Sequence, residues 1–325
     1  MTHAIRFHRT GGPEVLVWEP VEVARPGPGQ VRLRHTAVGL NFIDVYHRTG
    51  LYPAALPAIL GQEAAGVVEE VGEGVADLKP GDRVAYASPP IGAYAEARLM
   101  PADRVVRLPD GISDIQAAGM MLKGMTAQYL LRRTYRVQPG DAILIHAAAG
   151  GVGLIACQWA NALGATVIGT VGSDDKAALA RSHGCHHPIV YTREDFQKKV
   201  LEITGGKKLP AVYDSVGKDT FLKSLDCLRP MGMLVLFGQS SGTVPSFDPS
   251  LLARKGSLFL TRPGLMDYNA RREDLVACAD ELFEVVLKGQ VKIEINQTYP
   301  LRDAARAHAD LEARKTTGST VLTVG

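Results

Sequence analysis

The chain carries two different patterns of apolar and polar positions. From about residue 125 to 264, short apolar runs alternate with stretches whose apolar residues recur every three or four positions, the spacing of a helix with one buried face. This alternation predicts an α/β fold, a doubly wound parallel sheet with helices on both faces. The predicted strands are 142–146, 165–171, 188–191, 211–216, 233–238 and 257–262, and the predicted helices are 151–163, 174–182, 194–204 and 219–228.

The first 110 residues have a different pattern. Short stretches of alternating apolar and polar residues, such as 31–34 and 66–71, are separated by turns rich in glycine and proline. This part of the chain holds 11 of the 19 prolines, which disfavours long helices there. We therefore predict a compact β-rich domain. After residue 265, two helix patterns, 275–287 and 301–311, precede a short strand at 320–324.

A glycine-rich segment follows the first predicted strand of the α/β part. Its pattern, Ala147-x-x-Gly150-x-x-Gly153, is a variant of the dinucleotide-binding fingerprint, with alanine where the first glycine usually stands. Glycines let the backbone approach a pyrophosphate, and the positive end of the helix that follows meets the negative charge. The alternative is a turn that only packs the helix against the strand. The strand–turn–helix context favours dinucleotide binding.

The end of the second predicted strand indicates which dinucleotide is bound. NAD-binding proteins usually place a carboxylate there for the ribose 2′-hydroxyl, and that carboxylate repels a 2′-phosphate. Here the strand ends at Gly172-Ser173, and Lys176 follows. A hydroxyl and a cation without a carboxylate favour NADPH. Asp174 and Asp175 count against this, unless they occupy the first helical turn with Ser173 as the N-cap.

Composition limits the classes of function. At 325 residues, with 46% hydrophobic and 22% charged residues, the chain is typical of a globular protein of two domains. A formal net charge of +2 gives no bulk attraction to nucleic acid or to membranes, so neither partner is expected. The N-terminal residues do not resemble a signal peptide. Four widely separated cysteines predict reduced thiols and a cytoplasmic protein: Cys157, Cys185, Cys227 and Cys278.

One cluster of potential metal ligands occurs in the sequence, formed by His183, Cys185, His186 and His187. Its spacing fits none of the common zinc patterns. Gly184 is typical of a helix end, so we predict that the segment connects a helix to the next strand. Metal binding is the alternative, and we predict no metal site.

Four segments carry a resemblance to a known family: 41–44 (NFID), 61–66 (GQEAAG), 80–84 (PGDRV) and 147–153. In this order they resemble the medium-chain dehydrogenases/reductases, and within them the zinc-independent NADPH:quinone oxidoreductases, over essentially the whole chain. The resemblance implies a Rossmann NADPH-binding domain at 125–264. It also implies a discontinuous, β-rich, GroES-like catalytic domain formed by 1–124 and 265–325.

The residues at two of these positions bear on the chemistry. Zinc-dependent relatives carry cysteine where this chain has Asn41 and histidine where it has Gln62, and a carboxamide is a poor zinc ligand. Glu63 by itself cannot hold the ion. Without zinc to polarise an alcohol, the expected substrate is an electrophile that accepts hydride unaided, such as a small quinone.

The resemblance also implies particular site residues. It places Asn41, Tyr46, Tyr52 and Arg262 at the nicotinamide end of the cofactor, in a cleft between the two domains. Either tyrosine could donate a proton to the developing quinol, or both could form a wall that stacks on a flat ring. Asp44 is expected to be structural, since no adjacent residue suggests a raised pKa. The residues implied to line NADPH are Asn41, Thr126, Gly150, Gly151, Val152, Gly172, Ser173, Lys176, Tyr191, Ser215, Phe237, Gly238, Ser240 and Arg314, with Lys176, Tyr191 and Arg314 around the 2′-phosphate.

The last strand of the predicted parallel sheet, at 257–261, is apolar and would form an exposed edge. Relatives dimerise by joining two such edges, so we predict a homodimer. Two other functions remain open. One is an NADPH-dependent reductase of α,β-unsaturated carbonyl compounds or thioesters. The other is a nucleotide-regulated RNA-binding protein, which the near-neutral charge makes less favourable.

Overall fold

The computed structural model describes residues 2–325, which separate into two compact units. The first unit comprises the chain up to Met125 together with Asn269–Leu287 and Ile293–Gly325. The second unit comprises Thr126–Tyr268 and Lys288–Lys292. None of the helices within residues 2–325 has the length and apolar character needed to cross a lipid bilayer.

The N-terminal part of the chain is mainly antiparallel strand, as its turn-rich sequence predicts. Glycine and proline turns interrupt it too often for long helices, and the one α-helix between residues 2 and 110 has eight residues. The elements up to Tyr129 are β1 (Thr2–Phe7), β2 (Val17–Val21), β3 (Gln30–Leu40), α1 (Phe42–Thr49), β4 (Ala58–Ile59), β5 (Glu63–Val71), β6 (Arg83–Ala87), β7 (Ala97–Pro101), β8 (Val106–Arg107) and α2 (Asp114–Tyr129).

The second unit alternates strands and helices. Its central strands are buried along almost their whole length, because helices cover both faces of a parallel sheet. Its elements are β9 (Ala142–Ile145), α3 (Gly151–Ala162), β10 (Thr166–Val171), α4 (Asp174–Ser182), β11 (His187–Val190), α5 (Phe196–Ile203), β12 (Leu209–Asp214), α6 (Phe221–Asp226), β13 (Leu228–Leu236), α7 (Ser250–Arg254), β14 (Phe259–Thr261) and α8 (Leu265–Tyr268).

The six strands of this sheet are all parallel and follow the order β11-β10-β9-β12-β13-β14. The chain moves outward from β9 in one direction and then returns to continue from β12 in the other. The order of strands therefore reverses between β9 and β12, the position where doubly wound sheets bind ligands. The predicted doubly wound sheet is confirmed. The prediction was wrong at β13, which begins at Leu228, inside a predicted helix, because this residue pairs with Leu209 across a local irregularity.

The C-terminal segment completes the sheet of the first unit. Its last strand, β16 (Ser319–Thr323), pairs antiparallel with β3 and parallel with β15 (Ile295–Pro300). The resulting sheet has the order β15-β16-β3-β5-β6-β8, with β7 also paired to β3, and a smaller sheet has the order β2-β1-β4. The predicted C-terminal helices and strand are present. These elements are α9 (Arg272–Leu287), β15 (Ile295–Pro300), α10 (Ala304–Glu312) and β16 (Ser319–Thr323).

Candidate cofactor and active site

The glycine-rich turn between β9 and α3 has the backbone of an anion-binding helix start. Gly150 is the N-cap of α3, with extended backbone angles (φ −81°, ψ 174°) and no side chain capping the free N–H groups. Ala147 has a left-handed backbone (φ 53°), the conformation for which glycine is normally used. A Cβ on Gly153 would lie 2.3 Å from the carbonyl oxygen of Ala147, so only glycine allows this packing of helix on turn.

The loops that follow β12 and β13 contact each other at the same edge of the sheet. The backbone N–H of Ser240 donates to the carbonyl oxygen of Ser215 at 3.1 Å. A Cβ on Gly238 would lie 2.6 Å from that same oxygen, so the two loops pack backbone against backbone. Phe237 is half-buried beside them. These loops bring together four of the residues predicted to line the cofactor: Ser215, Phe237, Gly238 and Ser240.

A second group forms where β10 and β11 end. A Cβ on Gly172 would lie 3.1 Å from the hydroxyl oxygen of Tyr191, so the tyrosine packs over this glycine. Ser173 is the N-cap of α4, and its hydroxyl accepts the backbone N–H of Lys176 at 3.4 Å. This confirms the capping role predicted for Ser173. One short segment thus combines a hydroxyl, a helix start and a lysine, the kinds of group that bind phosphate.

The acidic residue beside this group is engaged by a partner. Arg193 donates to the Asp174 carboxylate from both terminal nitrogens, one at 2.6 Å. These hydrogen bonds hold the pKa of Asp174 below its usual range. Asp174 lies in the first turn of α4, as expected, and its charge is balanced locally. It therefore counts less against a bound phosphate than its sequence position suggests.

In the first unit, Glu63 lies at the centre of a buried polar cluster. Its side chain is fully buried, and Oε2 accepts from Asn41 Nδ2 at 2.6 Å and from Lys123 Nζ at 3.1 Å. Its other oxygen accepts the backbone N–H of Leu122 at 2.7 Å. A buried carboxylate needs such partners, and here the ammonium of Lys123 supplies the opposite charge.

Asp44 is linked to the same cluster through Asn41. Its Oδ2 accepts the backbone N–H of Asn41 at 2.9 Å and the hydroxyl of Tyr94 at 3.0 Å. Burial raises the pKa of Asp44 to about 7, against the effect of these hydrogen bonds. The expectation that nothing raises this pKa was wrong, because the cause is burial by distant parts of the chain.

Tyr94 continues this network toward the surface. Its hydroxyl lies 3.0 Å from Nε2 of His308, whose Nδ1 accepts from Arg48 at 3.1 Å. Arg48 also pairs with Glu312 at 2.8 Å. Burial, followed by the charge of Arg48, lowers the pKa of His308 to about 3. The imidazole is therefore neutral, with its proton on Nε2.

The two candidate tyrosines form an aromatic cluster. The rings of Tyr46 and Tyr52 are 5.2 Å apart and meet edge to face, and Phe42 lies 5.6 Å from Tyr46. Tyr46 is buried and Tyr52 is half-buried. The arrangement gives α1 an aromatic surface on which a flat ring can stack.

The predicted site residues are divided between the units. Arg314 is exposed, with a left-handed backbone (φ 58°), directly after α10. Arg262 is exposed directly after β14, and Thr126 is buried in α2. The first unit holds Asn41, Tyr46, Tyr52 and Arg314; the second holds Thr126, Gly150, Gly151, Val152, Gly172, Ser173, Lys176, Tyr191, Ser215, Phe237, Gly238, Ser240 and Arg262.

Sequence reasoning did not single out Arg193 or Lys123 as site residues. A signal for Arg193 exists, since it stands two positions after Tyr191 at the end of a predicted strand. Lys123 stands in an otherwise apolar stretch of helix, where a charged residue is unusual unless paired. The cluster from His183 to His187 forms the predicted connection between α4 and β11. Across residues 2–325, no three histidine, cysteine or acidic side chains are grouped so as to hold a metal ion.

The comparisons with known proteins agree with this geometry. The alcohol dehydrogenase GroES-like domain matches residues 27–110, and the zinc-binding dehydrogenase family matches residues 151–273. A quinone oxidoreductase of Pseudomonas aeruginosa is 56% identical over 99% of both chains. The chain belongs to the quinone oxidoreductase family of the medium-chain dehydrogenases/reductases.

Two further relatives of this chain are informative. The crystal structure of Escherichia coli quinone oxidoreductase complexed with NADPH superposes with a TM-score of 0.98, at 50% identity and full coverage of both chains. A 2-haloacrylate reductase of a Burkholderia species is 51% identical over 99% of both chains.

The name of one matching family implies zinc, and the residues here do not fit that ion. Asn41 and Gln62 offer carboxamides, and the remaining carboxylate, Glu63, is already paired with Lys123. A zinc ion beside Glu63 would compete with the buried ammonium for the same oxygen. The dinucleotide fits better, because the glycine-rich turn leaves uncapped backbone N–H groups at the start of α3.

Proposed function

We propose that this protein is an NADPH-dependent quinone reductase that transfers hydride to a small quinone without a metal ion. The observation that carries the proposal is the glycine-rich turn at the position where the order of strands reverses. Near it, Ser173, the N-cap of α4, and Lys176 are suited to a 2′-phosphate. The buried pair of Glu63 and Lys123 beside Asn41 supports the metal-free part. The relatives named quinone oxidoreductase support the substrate class.

The reaction consumes a quinone, NADPH and a proton and yields a hydroquinone and NADP⁺. NADPH, when bound, supplies the hydride. The backbone N–H groups of Gly150, Gly151 and Val152 would hold the pyrophosphate. Asn41, held by two carboxyl groups, would contact the nicotinamide end, and so would Arg262. The remaining lining residues would be Thr126, Gly172, Ser173, Lys176, Tyr191, Ser215, Phe237, Gly238, Ser240 and Arg314.

Tyr46 and Tyr52 would meet the quinone. Their edge-to-face rings offer an apolar surface for stacking, which orients the acceptor ring for hydride transfer. A tyrosine hydroxyl can donate a hydrogen bond to the quinone oxygen as negative charge develops there. Solvent supplies the net proton.

The direct test measures NADPH oxidation with 1,4-benzoquinone, beside NADH and with EDTA. Turnover with NADPH, slow turnover with NADH and no effect of EDTA are the expected results. Loss of activity on chelation, restored by zinc, would overturn the metal-free mechanism. Tight NADPH binding with no quinone turnover would overturn the quinone as substrate.

Reduction of an activated carbon–carbon double bond is a second candidate, favoured by the 51% identity to a 2-haloacrylate reductase. The same hydride donor and metal-free site would serve an α,β-unsaturated carbonyl compound or thioester. Product analysis separates the two functions. A saturated carbon–carbon bond identifies the second, and a hydroquinone identifies the first.

Lys176→Ala should weaken NADPH binding by about 10- to 100-fold and leave NADH binding nearly unchanged. A charged hydrogen bond to phosphate contributes about 1.5–3 kcal/mol, and about 1.4 kcal/mol corresponds to tenfold in affinity. Titration calorimetry with both cofactors measures the difference. Lys199→Ala, on the exposed face of α5, is the control and should change neither affinity. Equal losses for NADPH and NADH in Lys176→Ala would exclude the phosphate contact.

We propose a homodimer that joins two copies of β14. This strand ends the sheet order, so one of its edges lacks a neighbouring strand within the sheet, and Phe259 on it is 57% exposed. Phe259→Lys should convert the dimer to a monomer in sedimentation velocity. Leu287→Lys, at a comparably exposed apolar position in the first unit, should not. A monomeric parent chain would exclude this interface.

The same proposal includes a cytoplasmic location. All four cysteines are buried free thiols, which a reducing compartment maintains.

A further inference from the structure

A continuous chain of buried hydrogen bonds joins the glycine-rich turn to the loop that follows β12. Thr170 Oγ1 lies 3.4 Å from the backbone nitrogen of Ala147 and 2.9 Å from Nδ1 of His146. Nε2 of His146 lies 3.0 Å from Ser224 Oγ, which lies 2.9 Å from Oδ2 of Asp214. The four side chains are at most 2% exposed, so each relies on these partners rather than on bulk solvent.

Asp214 is the acceptor at one end of this chain of hydrogen bonds. Its Oδ1 accepts the backbone N–H groups of Val216 at 2.8 Å and Gly217 at 3.0 Å, and its Oδ2 accepts the Thr220 hydroxyl at 2.7 Å. Both carboxyl oxygens of Asp214 are acceptors in these bonds, so the hydroxyl of Ser224 donates to Oδ2. Asp214 therefore shapes the loop at 214–217 and sets the direction of the next bond.

The remaining directions follow in order. Ser224 Oγ, having donated its proton, accepts from Nε2–H of His146. Nδ1 of His146 then accepts the hydroxyl proton of Thr170, whose oxygen accepts the N–H of Ala147. Burial lowers the pKa of His146, which keeps the ring neutral as this arrangement requires. Each bond thus has one donor and one acceptor.

The imidazole is the rigid member of this chain. Its ring packs edge to face against Phe196, with centroids 4.9 Å apart at 83°, which fixes the ring plane. Its backbone N–H donates to the carbonyl oxygen of Tyr213 at 3.0 Å, so it also sits between β9 and β12. A rigid ring with one donor and one acceptor sets a fixed separation between the groups on either side.

We propose that His146 is a positioning residue for NADPH binding, which with Thr170 and Ser224 sets the spacing between the glycine-rich turn and the loop at 214–217. The inference rests on the proposed function, because only there do Gly150 and Ser215 contact the cofactor. Breaking the hydrogen-bond chain removes a restraint on the two loops, so the cofactor must order them when it binds. We therefore expect weaker NADPH binding rather than a lower kcat, because none of the three residues is proposed to contact the reacting atoms.

The test compares Thr170→Val and Ser224→Ala, each of which removes one link with little change in volume. Each should raise the Kd for NADPH by about tenfold, as expected for a lost buried hydrogen bond, while kcat at saturating NADPH stays within about twofold. The double variant should bind NADPH no more weakly than the weaker-binding single variant, because the loss of either link already interrupts the hydrogen-bond chain. Thr166→Val, at the other end of β10, is the matched control and should leave the Kd unchanged.

A second measurement does not depend on NADPH. The ¹⁵N resonances of His146 should report a neutral ring protonated at Nε2, and Ser224→Ala should shift its Nε2 resonance. A ring protonated at Nδ1 would overturn the chain, as would single variants with unchanged Kd or losses that add in the double variant. Failure of the parent protein to bind NADPH would overturn the proposed function and this inference together. NADPH binding by the parent with unaffected variants would overturn the inference alone.

Discussion

Gly153→Ala should lower the free energy of unfolding by about 3 kcal/mol, the upper part of the range for overpacking, and should abolish detectable NADPH binding. The added Cβ would lie 2.3 Å from the carbonyl oxygen of Ala147 and 2.8 Å from two backbone carbons of Ala148. Because all these atoms belong to the backbone, no flexible side chain can move aside. Either α3 or the turn must shift, and both carry the proposed pyrophosphate contacts. Urea unfolding and NADPH titration measure the two effects.

Gly150→Ala is the matched control on the same turn. Its Cβ would have one neighbour within 4 Å, the carbonyl oxygen of Ala147 at 3.2 Å, and its φ of −81° suits any residue. The fold should therefore tolerate alanine at Gly150, while NADPH binding should weaken, because the side chain would stand where the pyrophosphate approaches. Wild-type stability in Gly153→Ala would contradict the packing argument. Wild-type NADPH affinity in Gly150→Ala would contradict the proposed pyrophosphate position.

His308, His35 and Asp44 together should lower the free energy of unfolding by about 3 kcal/mol as the pH is lowered from about 6.5 to about 4.5. Burial lowers the pKa of His308 to about 3 and that of His35 to about 4, whereas both titrate near 6.5 when unfolded. In this range each of these two histidines takes up a proton in the unfolded chain but stays neutral in the folded protein. Each contributes about 1.4 kcal/mol of lost stability per pH unit. Their stabilisation is complete above pH 6.5.

Asp44 acts in the opposite direction. Its folded pKa of about 7 exceeds the unfolded value of 3.8, so between these values the folded protein binds one proton more, and stability from this group rises as the pH falls. One of the two histidine contributions is thereby cancelled. These three groups together therefore change the free energy of unfolding by about 1.4 kcal/mol per pH unit.

Variants of these groups change the slope in different ways, measured by urea unfolding at several pH values. Asp44→Asn removes the opposing group and should steepen the slope by about 1.4 kcal/mol per pH unit. His308→Gln should make the slope shallower by about the same amount, since this histidine then no longer takes up a proton on unfolding. His187→Gln, at an exposed histidine, is the control and should leave the slope unchanged. A slope that Asp44→Asn leaves unaltered would show that Asp44 is ionised throughout.

Several features follow from residues that are neighbours in sequence. The spacing of apolar residues predicts the six parallel strands, and the spacing of Ala147, Gly150 and Gly153 predicts the turn between β9 and α3. Ser173 is recognisable as a helix N-cap from its position before Asp174 and Asp175. Such features are local because backbone conformation and helix capping depend on a few adjacent residues.

Other features depend on contacts between residues that are distant in sequence, so they arise only in the folded protein. Lys123 is 60 positions from the Glu63 carboxylate that it neutralises, and His146 is 78 positions from Ser224. The raised pKa of Asp44 has the same origin, since no neighbour in sequence causes it. The strands, the helices and the glycine-rich turn are predictable from the residues alone, because each depends on short-range backbone preferences. The ion pair, the hydrogen-bond chain and the pKa shifts required the fold, because burial and partner choice arise only when distant segments pack together.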